Sequence, residues 1–270
     1  MNVPAGATDT HFHIYEESVP PAPGGPPPGH YPVEAYRRMR DRLGLTRAIV
    51  VQPNAYQDDN TLTLKSIKAL GPEARGVGVV RPGVSDAEIE RLARGGIVAQ
   101  GIFQLQWGAV GFDKMHDVMA RVHPFGWFAN VQLDGRELPK WHETMRKLPS
   151  RFVIDHTGKF LEPVTVDSAP FKLLLGLLDT GRCWIKLAAP YETSKTGAPR
   201  YEDVSRLARA LVADAPERIL WASNWPHPSE PKEAKPDDKV LLELLLDWAP
   251  DDATRRKILV DNPAELYGFK

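Results

Sequence analysis

The chain has 270 residues, 42% of them hydrophobic, a single cysteine and a formal net charge of −1. Near-neutral charge gives no electrostatic footprint for nucleic acid or an anionic membrane, and one cysteine excludes an internal disulfide. The first residues lack the charged flank and apolar core of a signal peptide, and no apolar run approaches the roughly 20 residues that cross a bilayer. The expectation is a cytoplasmic protein with a large core and a small-molecule partner.

Along the chain, short β-rich runs alternate with stretches whose apolar residues recur every three or four positions. The runs are 7–13, 47–52, 76–80, 98–105, 127–133, 152–156, 183–187 and 219–223. After the first run comes a segment, 18–32, dominated by proline and glycine; it can form neither a helix nor a central strand. It reads either as a flexible surface loop or as a stiff lid. The first helical stripe is Val33, Tyr36 and Met39, with Gly44 where a helix stop belongs. Leu64, Ile67 and Leu70 make a second, closed by Gly71-Pro72. Ser85 and Glu88 have the spacing of a capping box before Ile89 and Leu92. Further stripes run through Met115–Val122, Leu138, Trp141 and Met145, then Leu174, Leu177 and Leu178. Val204, Leu207 and Leu211 precede the last run, and short closing helices follow it.

Eight strand–helix units in this length predict a single-domain α/β fold, a (β/α)8 TIM barrel spanning 1–270. The rival is a doubly wound open sheet. It would carry a glycine-rich fingerprint after its first strand, whereas this first run ends in "THFHIY".

Barrel enzymes build their sites at the C-terminal ends of the strands. Alternation in a strand places Asp9, His11 and His13 on one face. His156 ends the sixth run in "FVIDHTGKF", and Asn224 and His227 follow the eighth in "ILWASNWPHP". His11, His13, His156 and Asn224 are therefore expected around one cavity, with His227 either joining them or standing as a loop residue between two prolines. Three neutral imidazoles can hold zinc. The fourth and fifth runs, however, offer Phe103, Gln104 and Gln132, and the eighth an amide; these are poor zinc ligands. No metal and no cofactor is expected. Tyr31, Gln52, Asn54, Gln132 and Tyr191 are the remaining polar candidates for contact with a substrate.

"DTHFH", "DHTGKF" and "NWPHP" together resemble the lactone-processing branch of the amidohydrolase superfamily, over nearly the whole chain. "PAGATDT" with Tyr15, "QPNA", "YETS" and "APERILWASNWPH" are similar to its sugar-acid lactone isomerases in particular. The resemblance implies a barrel that works without metal. Lactonases of that branch carry an aspartate base where this chain has Asn224, and the isomerases carry asparagine. An amide cannot take a proton from water. A hydroxyl already tethered beside the lactone carbonyl needs less help to attack it, so the resemblance implies conversion of a 1,5-lactone into a 1,4-lactone. The alternatives are a lactonase with histidine as base and a barrel that only binds a sugar acid. Two positions depart from the branch. Phe103 stands where relatives tend to place an arginine for a substrate carboxylate, leaving Lys159 and Lys186 as candidate charges, and His11 stands where the isomerases place glutamine.

Overall fold

The computed structural model describes residues 1–270. Eight strands form one parallel sheet in the order β1 to β8. They are β1 Thr8–Phe12, β2 Arg47–Val51, β3 Ala74–Gly78, β4 Ile97–Phe103, β5 Phe128–Gln132, β6 Phe152–Ile154, β7 Cys183–Leu187 and β8 Ile219–Trp221. Each lies in or beside the run predicted for it. The segment after β8 closes the circle on β1. The Asn224 amide donates to the His11 carbonyl at 2.9 Å, and the His13 amide to the Trp225 carbonyl at 2.8 Å. The molecule is a (β/α)8 barrel.

Helices cover the outside as the apolar stripes require. Helix α1, Val33–Leu43, buries Val33, Tyr36 and Met39 and ends at Gly44, whose φ of 76° a glycine adopts without Cβ strain. Helix α2, Thr61–Leu70, departs from its predicted face: Leu62, Thr63, Ser66 and Ile67 are buried, while Leu64 and Leu70 are half-buried. The hydroxyls tolerate burial because they have acceptors. Ser66 donates to the Leu62 carbonyl at 2.7 Å and Thr63 to Gln52 Oε1 at 2.5 Å. Half of the expected capping box forms. Ser85 accepts from the Glu88 amide, but the Glu88 carboxylate turns to Arg91 at 2.7 Å.

The barrel interior is layered. Along β5, β6 and β7 the inward positions alternate with the pleat, first apolar and then polar. Phe128, Val153 and Trp184 belong to an inner apolar cluster with Tyr267 and Phe269 of the C-terminal segment. Asn130, Asp155 and Lys186 come two residues later; Asn130 and Asp155 form the floor of a cavity that opens at the strands' C-terminal ends, and Lys186 lies buried behind them.

Strand β1 corrects one expectation. Its register slips between Asp9 and Phe12, and such a bulge reverses which face a side chain takes. Asp9 therefore leaves the cavity. It accepts from Tyr36 of α1 at 3.2 Å and from the Ser223 hydroxyl at 2.6 Å. Phe12 stacks on the same tyrosine, ring centroids 3.5 Å apart.

Candidate active site

The cavity holds about 560 Å³, within the size range of small-molecule sites. His11, His13, His156 and Asn224 line it, as do Tyr31, Gln52, Asn54, Gln132 and Lys159. Three other sequence candidates lie behind that wall. Lys186 is fully buried beneath His11, and Tyr191 and His227 back Asn224.

The 18–32 segment forms part of the wall through Pro26, Pro27, Gly29 and Tyr31. Its base is pinned by paired backbone hydrogen bonds between Tyr15 and Tyr31 at 2.8 and 3.1 Å, and its tip by the Ala22 amide on the Ala55 carbonyl at 2.8 Å. A Cβ on Gly25 would sit 2.3 Å from that carbonyl oxygen, so the close approach depends on glycine.

Below His11 lies a hydrogen-bonded ionic cluster. Lys186 Nζ is 3.0 Å from Asp155 Oδ1, 2.5 Å from Asn130 Oδ1 and 3.2 Å from His11 Nδ1. These three acceptors match the three donors of an ammonium. Asn130 Nδ2 also donates to Asp155 Oδ2 at 2.7 Å. Burial opposes ionisation of Asp155, yet the Lys186 ammonium beside it holds the carboxyl well below its usual value. Burial likewise lowers Lys186, partly offset by Asp155.

The imidazoles continue the chain. His11 Nε2 and His13 Nε2 are 3.2 Å apart, and His13 Nδ1 is 2.9 Å from the Val51 carbonyl. That carbonyl requires a proton on His13 Nδ1. In the neutral ring Nε2 is then an acceptor, so His11 donates from its own Nε2; its Nδ1, 3.2 Å from Lys186 Nζ and 3.3 Å from Asp155 Oδ1, is left to accept from the ammonium. Burial pushes His11 down to about 3 and His13 to about 4, consistent with two neutral rings. All four ring nitrogens are thereby engaged within the protein.

His156 differs. Its φ of 55° breaks the strand's alternation and turns both Asp155 and His156 toward the cavity. Its Nδ1 is buried with no partner. Burial, then Lys159 and His11, hold it well below the usual histidine value against the pull of Glu192. Asn224 also has positive φ, 57°, a conformation asparagine adopts more readily than most residues. Its Nδ2 donates to the Tyr191 hydroxyl at 2.9 Å and to Glu192 Oε1 at 3.3 Å, leaving Oδ1 buried and unpartnered. The free end of the amide is thus an acceptor. Backbone strain at such positions, about 1–3 kcal/mol each, concentrates where function constrains the chain.

Sequence reasoning passed over one carboxylate. Glu192 lines the cavity at the end of a short turn after β7, Pro190–Glu192. It pairs with Lys159 and accepts from Ser229 at 3.0 Å as well as from Asn224. Burial raises its carboxyl, but Lys159, His156 and these donors outweigh that and keep it below the usual range. The motif "YETS" held the signal, but a turn decides which of two neighbours faces inward, and here Tyr191 faces outward. No three histidine, cysteine or acidic side chains converge in a geometry that would hold a metal ion.

The amidohydrolase family profile matches residues 8–269. The chain is 41% identical to a D-galactarolactone isomerase of Agrobacterium fabrum (strain C58 / ATCC 33970) over 268 residues, 98% of this chain and 91% of that protein. It is 32% identical to a 2-pyrone-4,6-dicarboxylate hydrolase of Comamonas testosteroni, covering 99% and 92% of the two chains. An apo crystal structure of an Agrobacterium tumefaciens protein superposes with a TM-score of 0.93 at 39% identity, covering 99% and 97%. With the strand-end histidines, the engaged Asn224 and a match across nearly every residue, the chain belongs to the amidohydrolase family.

Proposed function

We propose that this protein isomerises a sugar-acid lactone, converting a 1,5-lactone of the galactarate type into the 1,4-lactone. The observation that carries the reading is Asn224. An amide stands at the end of β8, and its free atom is the acceptor Oδ1. It can orient a substrate hydroxyl but cannot deprotonate water. The D-galactarolactone isomerase relative, 41% identical over 98% of this chain, supports the same choice.

In the proposed mechanism the C4 hydroxyl of the bound lactone hydrogen-bonds to Asn224 Oδ1 and attacks C1. Glu192 takes its proton. Neutral His156 donates to the oxyanion that develops on the carbonyl oxygen. The bond from C1 to the former ring oxygen then breaks, and that oxygen takes the proton back from Glu192. One C–O bond forms, one breaks, and no water is consumed. Tethering supplies the proximity that a bimolecular attack lacks. His11 and His13, engaged with each other and with Lys186, hold the wall of the site. Asn224 acts here as an acceptor, because both of its N–H groups are committed.

A second reading, lactone hydrolysis, draws on Glu192, a carboxylate able to take a proton from water instead. A proton-NMR time course with galactaro-1,5-lactone in oxygen-18 water separates the two. Isomerisation gives unlabelled 1,4-lactone, and its rate survives dialysis against a chelator. Labelled open-chain diacid as the main product overturns the reading. We further infer a cytoplasmic enzyme acting on a free small molecule, with no nucleic-acid or membrane partner. The net charge of −1 supports this, and no helix is long and apolar enough to cross a membrane.

A further inference from the structure

The cavity lining contains two lysines and no arginine. Lys159 is committed to Glu192. Behind the wall, Lys186 is committed to Asp155. Lys235, in the loop after β8, has no carboxylate partner. Its ammonium donates to the Pro226 carbonyl and, at 3.2 Å, to the His227 carbonyl, and lies 4.4 Å from the Tyr31 ring centroid. Two neutral acceptors and an aromatic face hold the head group in place without cancelling its charge. An ammonium has three donors, so one N–H and the full positive charge remain for a ligand.

We propose that Lys235 anchors the substrate's carboxylate and makes the cavity selective for lactones carrying one such group. The proposal rests on the function given above and names the residue that recognises the acid part of the substrate. Three acids face the same space: Asp155 and Glu192, already paired, and Glu230 at the lip, where only Ser229 donates to it, at 3.4 Å. A first carboxylate meets the free ammonium. A second meets no unpaired cation and is repelled by these acids. The role that relatives of the lactone branch give to an arginine, at the position held here by Phe103, thus passes to a different loop. Because Lys235 rests on Tyr31, binding there also joins the 18–32 segment to the loop after β8 across the cavity mouth.

The test compares wild type, Lys235→Met, Lys235→Arg and Lys232→Met on two substrates. One is the carboxylated 1,5-lactone. The other is an aldono-1,5-lactone, in which a neutral CH2OH replaces the carboxylate. Lys235→Met is expected to raise KM for the acid roughly 10- to 100-fold, the worth of a hydrogen bond to a charged group. It should leave kcat nearly unchanged and KM for the neutral lactone unaltered. Lys235→Arg should keep most of the preference, and Lys232→Met, altering an exposed neighbour on the same loop, all of it. An equal rise for both lactones, or no rise for the acid, overturns the proposal. If wild type turns over neither lactone, the isomerase reading fails separately. Calorimetric titration of galactonate, a sugar monocarboxylate, into wild type and Lys235→Met then decides on Lys235. Weaker binding by the variant supports it, and equal binding, or none by wild type, overturns it.

Discussion

Lys186 Nζ lies 3.2 Å from His11 Nδ1, and together with the Val51 carbonyl on His13 Nδ1 this contact orders the protons on both histidines of the H-x-H pair. With Lys186→Met, Asp155 is left buried without its counter-ion and His11 without its donor. Removing one partner of a buried pair costs about 3–5 kcal/mol. The thermal midpoint should fall by roughly 6–20 °C for a chain of this size, and nitrogen-15 shifts should report changed tautomers at His11 and His13. A midpoint within about 2 °C of wild type with unchanged shifts would show that Lys186 does not organise the pair.

Stability should fall as the solution is acidified from neutral. Burial lowers His11 to about 3 and His13 to about 4 in the folded chain, against an ordinary histidine value of 6.5. The unfolded state therefore binds more protons between these values. The stabilising contribution is complete above pH 6.5 and is lost as pH falls toward 4, by about 1.4 kcal/mol per pH unit for each group. Asp9, raised by burial to about 6, acts in the opposite direction. Its contribution is complete below the ordinary aspartate value of 3.8 and is lost as pH rises to about 6. It offsets one histidine only. Calorimetric midpoints that stay level from pH 7 to pH 4.5 would contradict the neutral assignment of the rings.

Asn224→Asp should convert part of the flux to hydrolysis. A carboxylate there can take a proton from water, so oxygen-18-labelled diacid should appear beside the 1,4-lactone. Asn224→Ala should slow isomerisation by about 1–3 kcal/mol, the worth of a lost buried hydrogen bond, without creating hydrolysis. Mass spectrometry of the products reads both outcomes. If the alanine variant hydrolyses as readily as the aspartate variant, the amide is not what suppresses water attack.

Glu192→Gln keeps the size of the side chain and removes its basicity. If Glu192 moves the proton, kcat should drop by about 10²- to 10⁴-fold with a smaller change in KM. A kcat within threefold of wild type would pass the role to His156.

Gly25→Ala places a methyl against the Ala55 carbonyl, where the Cβ approach is 2.3 Å. The 18–32 segment must lift, so KM should rise, while the midpoint changes little because the barrel layers are untouched. Unaltered kinetics would show that the segment is not part of the working wall.

The eight strands were readable because their signals are local. Alternation, stripes at three- and four-residue spacing, and Gly44 at a helix end all follow from backbone geometry within a few residues. The same locality made His11, His13, His156 and Asn224 visible, since each sits where an apolar run meets polar chain. Asp9 was misplaced because a bulge in β1 is set by pairing with β2, 38 residues or so away, and one slipped position exchanges the faces. Glu192 and Tyr191 could not be told apart, because a three-residue turn aims one inward and the other out. Lys235 gave no local signal at all. Its significance comes from Tyr31 and two carbonyls brought beside it by barrel closure, and from every other lysine at the site already having a carboxylate. The sequence by itself determined the repeating unit and the strand ends. Tertiary contacts alone decided which charges are paired and which are free, because pairing depends on distances between segments far apart in the chain.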